Sequence, residues 1–280
     1  TDKSGFDKAI QAAKNADVVV MVLGEVGFQS GEGRSRANID LPGVQQELLE
    51  AVYQANPNIV LVLNNGRPLA LPWADANIPA IVEAWQLGTE SGNAIAQVLY
   101  GDYNPSGKLP MTFPRSVGQL PIYYNQKTTG RPVENGEDSV FWSHYTDEEN
   151  TPLYPFGYGL SYSKFEYSDL KVSSPSFSSN GKITVSVNVK NTSKVEGKEV
   201  VQMYLKDLIG SVTRPMKELK GFEMVSLKAN ETKTVTFTID SKLLEFYTAN
   251  NKWEAEPGDF KVFIGGSSDA KLEASFEYKG

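Results

Sequence analysis

The sequence has no cysteine and a single histidine, His144, in 280 residues. Without thiols, disulfides, thiolate metal sites and cysteine nucleophiles are excluded. One imidazole also leaves a histidine-based metal cage without its ligands. Acid–base chemistry must therefore rest on carboxylates, tyrosines or lysines. Long hydrophobic runs are missing too: the longest, Val18 to Leu23, falls far short of the roughly 18 apolar residues that a membrane span needs. Nor is there an excess of positive charge. The 27 basic and 34 acidic residues leave a net charge of −7, whereas a nucleic-acid footprint needs a concentrated basic face. Neither a nucleic acid nor a membrane is expected as a partner. The first residues, Thr1-Asp2-Lys3-Ser4, offer neither an initiating Met nor a signal peptide, and the expectation is a cut made inside a longer protein. The lack of cysteine suits a cytoplasm and a bacterial periplasm alike.

What is present is the composition of a folded chain, 40% hydrophobic and 22% charged, long enough for two domains with cores of their own. Two periodicities divide it. Up to about residue 100, helical and strand signals alternate. Phe6, Ile10 and Ala13 share a helical face, Asp17 to Leu23 forms an apolar strand, and Val44, Leu48, Leu49 and Val52 stripe a second helix. Ile59 to Leu63 and Ile81 to Trp85 are further strands, and Ala94, Ile95, Val98 and Leu99 line another helix. Unbroken apolar strands imply burial on both faces, hence a mainly parallel sheet between helices: an α/β sandwich. Past about residue 165 the period becomes two, in Ile183-Val185-Val187-Val189, Val201-Met203-Leu205, Val235-Phe237-Ile239, Phe260-Val262-Ile264 and Leu272-Ala274-Phe276. Turns at Asn180-Gly181, Ala229-Asn230 and Pro257-Gly258 punctuate the runs. This predicts an all-β, immunoglobulin-like sandwich. The expected division is an α/β domain over 1–120, an aromatic, Pro- and Gly-rich connecting strap over 121–162, and the β-sandwich over 163–280.

In an open α/β sheet, ligands gather beyond the carboxyl ends of the strands. The first strand ends at Gly24-Glu25 and enters a loop reading Val26-Gly27-Phe28-Gln29-Ser30-Gly31-Glu32-Gly33-Arg34-Ser35-Arg36. Glycines on both sides free the backbone to project Glu32 outward, where a general acid can meet a leaving-group oxygen. On composition alone, Glu32 reads as a solvated loop residue. Glu25 is either an acid itself or an acceptor of backbone N–H groups that shapes the loop. Arg34 and Arg36 are expected to pin the loop by pairing with Asp40 or another carboxylate, since a cation touching a working acid would lower its pKa. Asn64, Asn65 and Arg67 close the second strand on the same edge, serving either the turn's backbone or the site. Asp102 to Gly107 reads as a tight turn. The motif G-x-G-x-x-G is absent after the first strand, which disfavours dinucleotide binding; no cofactor and no metal are expected.

The loop Ser30-Gly31-Glu32-Gly33-Arg34-Ser35-Arg36, followed by Asp40-Leu41-Pro42, resembles the acid/base loop of family 3 glycoside hydrolases, the β-glucosidases and β-xylosidases. Further matching blocks follow in that family's order: Val62 to Pro68, Ala84 to Gly92, Gly101 to Pro110, Thr112-Phe113-Pro114 and Pro152 to Tyr162. The terminal sandwich resembles the fibronectin type III-like domain of many members. The resemblance implies retaining hydrolysis by two carboxyl groups about 5–5.5 Å apart. It gives Glu32 the acid/base role and places the nucleophile, an Asp, on a preceding (β/α)-barrel that is missing here. A β-linked oligosaccharide or glucoside, a periplasmic or secreted setting and inactivity of the fragment alone follow as expectations. His144 stands where many relatives resemble Ser-Arg-Tyr or Ser-Lys-Tyr, so an interface salt bridge carried by that cation is in doubt. The strap aromatics Tyr123, Tyr124, Phe141, Trp142, Tyr145, Tyr154, Phe156, Tyr158 and Tyr162 can stack on sugars or cement an interface, and their clustering favours the interface. The competing reading is a non-catalytic carbohydrate- or protein-binding module, complete as it stands; a third is a domain that pairs with a separately encoded barrel.

Overall fold

In the computed structural model, which describes residues 2–128, 130–131 and 141–280, the chain divides into two units. Residues 129 and 132–140 of the expected strap therefore lie outside the described residues. The first unit holds the chain up to residue 102, with residues 113–121 and 148–153. The second holds 103–112, 154–280 and the described residues between 122 and 147. Each is taken by itself.

The first unit runs α1 (Phe6–Lys14), β1 (Val19–Gly24), α2 (Gln45–Ala55), β2 (Ile59–Asn64), α3 (Pro72–Asn77), β3 (Ala80–Glu83) and α4 (Ser91–Leu99). All three strands are parallel in the order β1-β2-β3, with Val19 beside Ile59 and Val60 beside Ala80. The ends of α1 and α2 are tied by Asn56, whose side-chain amide donates to the carbonyls of Ala13 (3.0 Å) and Ala16 (2.7 Å). The helix at α3 has no periodic signature because it is six residues long; proline at its start fixes φ where no N–H is needed.

Burial corrects one expectation. β1, read as covered on both faces, is covered on one. Met21 is buried, but Val20 and Val22 are 49% and 61% exposed. In the parallel register Val20, Val60 and Ala80 share a face, as do Val22, Val62 and Val82. Of these only the central Val62 is fully buried. β1 is an edge strand, and no second layer covers its outer valines among the described residues.

The second unit is a β-sandwich. Its strands are β4 (Phe165–Val172), β5 (Ser176–Phe177), β6 (Lys182–Asn191), β7 (Gly197–Asp207), β8 (Glu218–Leu227), β9 (Thr232–Asp240), β10 (Phe246–Tyr247), β11 (Trp253–Glu254), β12 (Gly258–Gly265) and β13 (Leu272–Tyr278), with a short helix α5 (Ser241–Leu244) after β9. One sheet orders β5-β13-β12-β7-β8 and the other β4-β6-β9. Ile183, Val185, Val187 and Val189 of β6 meet Val201, Met203, Leu205, Val262 and Ile264 of the facing sheet in one core. The period-two runs are thus the inward faces of the two sheets.

The outer face of β7 is covered as well. Tyr204 is fully buried and forms a cluster with Phe263 and Ala270, against which Tyr124 and Phe156 pack. Tyr124 stacks on Phe156 with ring centroids 4.2 Å apart and meets Tyr204 edge-on at 5.8 Å. Two of the strap aromatics therefore seal the sandwich. Two sequence blocks also clasp each other here. The side chain of Asn104 accepts from Ser161 Oγ and Tyr162 N–H, both at 2.8 Å, and donates to Ser163 Oγ (3.0 Å) and the Glu196 carbonyl (2.9 Å). Every hydrogen-bonding position of that amide is satisfied, while Asp102–Gly107, expected as a tight turn, is a bend at 102 and 103 followed by irregular chain. His144 is exposed, with a ring nitrogen 2.8 Å from the Trp142 carbonyl.

Candidate active site at the carboxyl edge of the parallel sheet

The three parallel strands end side by side, delivering Gly24-Glu25, Asn64-Asn65 and Glu83 to one edge of the sheet. The close pairing of β1 and β2 demands glycine at the first of these. Gly24 has φ +134°, and a Cβ there would lie 2.2 Å from the Asn64 carbonyl oxygen. Gln45, in the first turn of α2, grips the same residue from both sides: its amide accepts from Gly24 N–H (2.7 Å) and donates to the Gly24 carbonyl (2.8 Å). Nothing in the sequence marks Gln45 for this task.

Beyond Gly24 the chain enters the glycine-bearing loop. Its tip is a β-turn closed by Arg34 N–H on the Gly31 carbonyl at 3.1 Å. Glu32 occupies the second position and Gly33 the third, with φ +66°, the conformation for which a type II turn uses glycine. The Glu32 side chain is exposed and has no hydrogen-bond partner among the described residues.

Glu25 is its opposite. The side chain is fully buried and lies 2.8 Å from both Arg36 Nη1 and Arg67 Nε. Its second oxygen accepts from Gly66 N–H at 3.2 Å. A buried carboxylate needs such compensation, because an unpaired buried charge is strongly destabilising. With no exposed side-chain surface, Glu25 has no route to an external oxygen. Arg36 places its other guanidinium nitrogen 2.9 Å from the Asp40 backbone carbonyl, so it meets that residue's main chain and not its carboxylate. The Arg34 side chain is exposed; what it contributes to the loop is its carbonyl, which accepts from Arg67 Nη2 at 2.7 Å.

A second carboxylate on this edge was not anticipated. Glu83 accepts from Trp85 N–H (3.0 Å) and from the Asn65 side-chain amide (3.3 Å). Burial pushes it up to about 7, and those two hydrogen bonds pull against the rise. Asn65 itself is completely buried. It donates to the Arg67 carbonyl at 2.7 Å, while its side-chain oxygen has no partner among the described residues. No cluster of three His, Cys, Asp or Glu able to hold a metal ion occurs among the described residues, and none of their helices is long and apolar enough to cross a membrane.

These features define a two-unit chain in which an α/β domain presents a carboxylate from a glycine turn and a β-sandwich follows. The chain belongs to glycosyl hydrolase family 3: residues 2–162 match the family model described as the glycosyl hydrolase family 3 C-terminal domain, and residues 199–268 match a fibronectin type III-like domain. Among its relatives, a periplasmic beta-glucosidase of Salmonella typhimurium is 54% identical over 97% of this chain. A beta-xylosidase of Formosa agariphila is 47% identical over 96%. The crystal structure of a beta-glucosidase from Listeria innocua in complex with glucose superposes with a TM-score of 0.92 over the whole chain at 43% identity. This chain spans 36% of the length of each of those two curated relatives and 39% of the Listeria protein.

Proposed function

We propose that the chain is the C-terminal part of a retaining, exo-acting β-glycosidase of β-glucosidase type, with Glu32 as its general acid/base. The observation that carries this reading is the contrast within one loop. Glu25 is buried and held by two arginines, while Glu32 stands exposed at the tip of a hydrogen-bonded turn. A group that exchanges protons with an external oxygen needs the second environment. The names of the relatives support a β-glucoside or β-xyloside as substrate, and the Salmonella protein's name supports a periplasmic or secreted setting.

The mechanism needs two carboxyl groups about 5–5.5 Å apart. One, on a (β/α)-barrel preceding this part, attacks the anomeric carbon as the bond to the leaving oxygen breaks; Glu32 gives that oxygen its proton. Glu32, now a carboxylate, takes a proton from water, whose oxygen displaces the first carboxylate from the sugar. The configuration is retained, and Glu32 ends protonated as it began. Since the nucleophile lies outside this chain, the 280-residue polypeptide is inactive alone, and turnover of an aryl β-glucoside by it would overturn that part of the proposal.

The decisive test is Glu32→Gln in the full-length enzyme. Hydrolysis of a disaccharide, whose leaving group needs a proton, is expected to fall by about 10²–10⁴-fold. A dinitrophenyl glycoside, whose leaving group needs none, is affected far less in bond cleavage, and azide restores its turnover. Unaltered disaccharide hydrolysis removes Glu32 from the mechanism.

A further inference from the structure

An exposed catalytic group with no side-chain partner can be placed only by its backbone. Among the described residues, one side chain from outside the loop donates hydrogen bonds to residues 26–35, and it is Arg67. Its Nη2 donates to the carbonyls of Gln29 (2.6 Å) and Arg34 (2.7 Å), three residues before and two after Glu32. Its Nε lies 2.8 Å from the buried carboxylate of Glu25, an ion pair held by charge and proximity, since the Nε–H is not aimed along a hydrogen bond. The other bonds in this stretch are local: Gln29 N–H to the Val26 carbonyl, Val26 N–H to the Gln29 side chain, and the turn itself.

We infer that Arg67 is the positioning residue for Glu32, fixing both stems of the turn to the buried Glu25 so that the acid/base carboxyl is held still without being touched. The inference rests on the role proposed above for Glu32. The guanidinium suits the task because its planar fork directs donors along several fixed lines at once, which a lysine ammonium on a flexible stem cannot reproduce. Arg67 is anchored in turn. Its carbonyl accepts from the fully buried Asn65, which also donates to Glu83 at the end of β3. The neighbouring Gly66 leaves room for the loop, since a Cβ there would lie 1.9 Å from Ser30 Oγ. The turn is thereby referred to the ends of all three strands. Because Arg67 bonds the carbonyls of the stems and not the Glu32 carboxyl, it also avoids a direct contact that would strip that carboxyl of its proton.

The test is Arg67→Lys and Arg67→Met in the full-length enzyme, each compared with Glu32→Gln. Misplacing a reacting group by about 1 Å can cost on the order of 10²-fold. Both Arg67 variants are therefore expected to lose about that factor in disaccharide hydrolysis while keeping most of their bond cleavage on a dinitrophenyl glycoside, and to be accelerated by azide. Deuterium uptake at residues 26–36 should quicken, with the strands unchanged. A loss that is equal on both substrates, or no loss, overturns the inference. Should Arg67→Met fail to fold, Arg67→Lys decides, because it keeps a cation beside Glu25. If Glu32→Gln shows the leaving-group split and Arg67→Lys does not, only the positioning role falls. If Glu32→Gln shows no split, the acid/base reading falls and takes this inference with it.

Discussion

Two strands of valine, β1 in the parallel sheet and β6 in the sandwich, have opposite fates. β6 alternates in sequence, and its apolar positions Ile183, Val185, Val187 and Val189 are at most 1% exposed. β1 is apolar at nearly every position, yet Val20 and Val22 face solvent at 49% and 61%. Burial is decided by whether a second layer exists, not by how apolar the strand is. The sandwich supplies its own second layer, because one sheet is the cover for the other. At β1 the parallel sheet does not, among the described residues, although the same face is closed over Val62 of β2. A strand apolar on both faces with one of them bare presents an exposed apolar surface whose cover can be tested.

The strongest way to sharpen this contrast is to open the closed core. Ile239, fully buried in β9, packs into the core shared by both sheets of the sandwich. Ile239→Ala should cost about 2–5 kcal/mol, measured by chemical denaturation of the chain. Hydrogen exchange should locate the loss in Lys182–Asn191 and Thr232–Asp240, which pair as neighbours. If the amides of β1, β2 and β3 lose protection equally, the two units unfold as one and the contrast has no thermodynamic content.

Next in size is a pH effect confined to the first unit. Burial raises Glu83 to about 7 from an ordinary value of 4.5. Between those values the folded chain holds a proton that the unfolded chain has released, so stability is full below about pH 4.5 and declines as pH rises through 7. The window amounts to at most about 3 kcal/mol. Glu83→Gln removes the titration while keeping a neutral side chain of nearly the same size. The variant should match the parent near pH 4 and exceed it at pH 8, with the gap seen in denaturation curves of the parallel-sheet unit. A gap that is the same at both pH values would show that Glu83 does not titrate on folding.

Much of this was legible beforehand, for reasons that differ by region. The period-two runs mapped onto inward faces because a half-buried strand writes its environment directly into alternate positions. The glycines around Glu32 pointed to an outward turn because positive φ restricts residue choice. What stayed hidden depends on partners far away in sequence. Gln45 grips Gly24 across 21 residues, and Arg67 reaches Gln29 across 38; no local pattern records either. Arg36 was expected near carboxylates, but its pairing with Glu25 and with the main chain of Asp40 depends on how the loop folds back. The bare face of β1 was misread for the same reason, since an apolar run shows that a face can be buried and not that it is.

The smallest expected effect is therefore the most pointed. Val22→Thr keeps a β-branched side chain, so strand propensity is nearly unchanged, and removes only apolar surface that is 61% exposed. In this chain alone the change should stay within about 0.5 kcal/mol, and the chain's tendency to self-associate at high concentration, followed by sedimentation, should fall. The same substitution at Val187, fully buried in β6, sets a hydroxyl inside the core and should cost more, about 1–3 kcal/mol for an unpaired polar group. A Val22→Thr cost as large as that of Val187→Thr would mean that the face is covered in solution after all, by a second copy of the chain. A cost that appears only in the full-length protein would show that the covering layer belongs to the longer polypeptide.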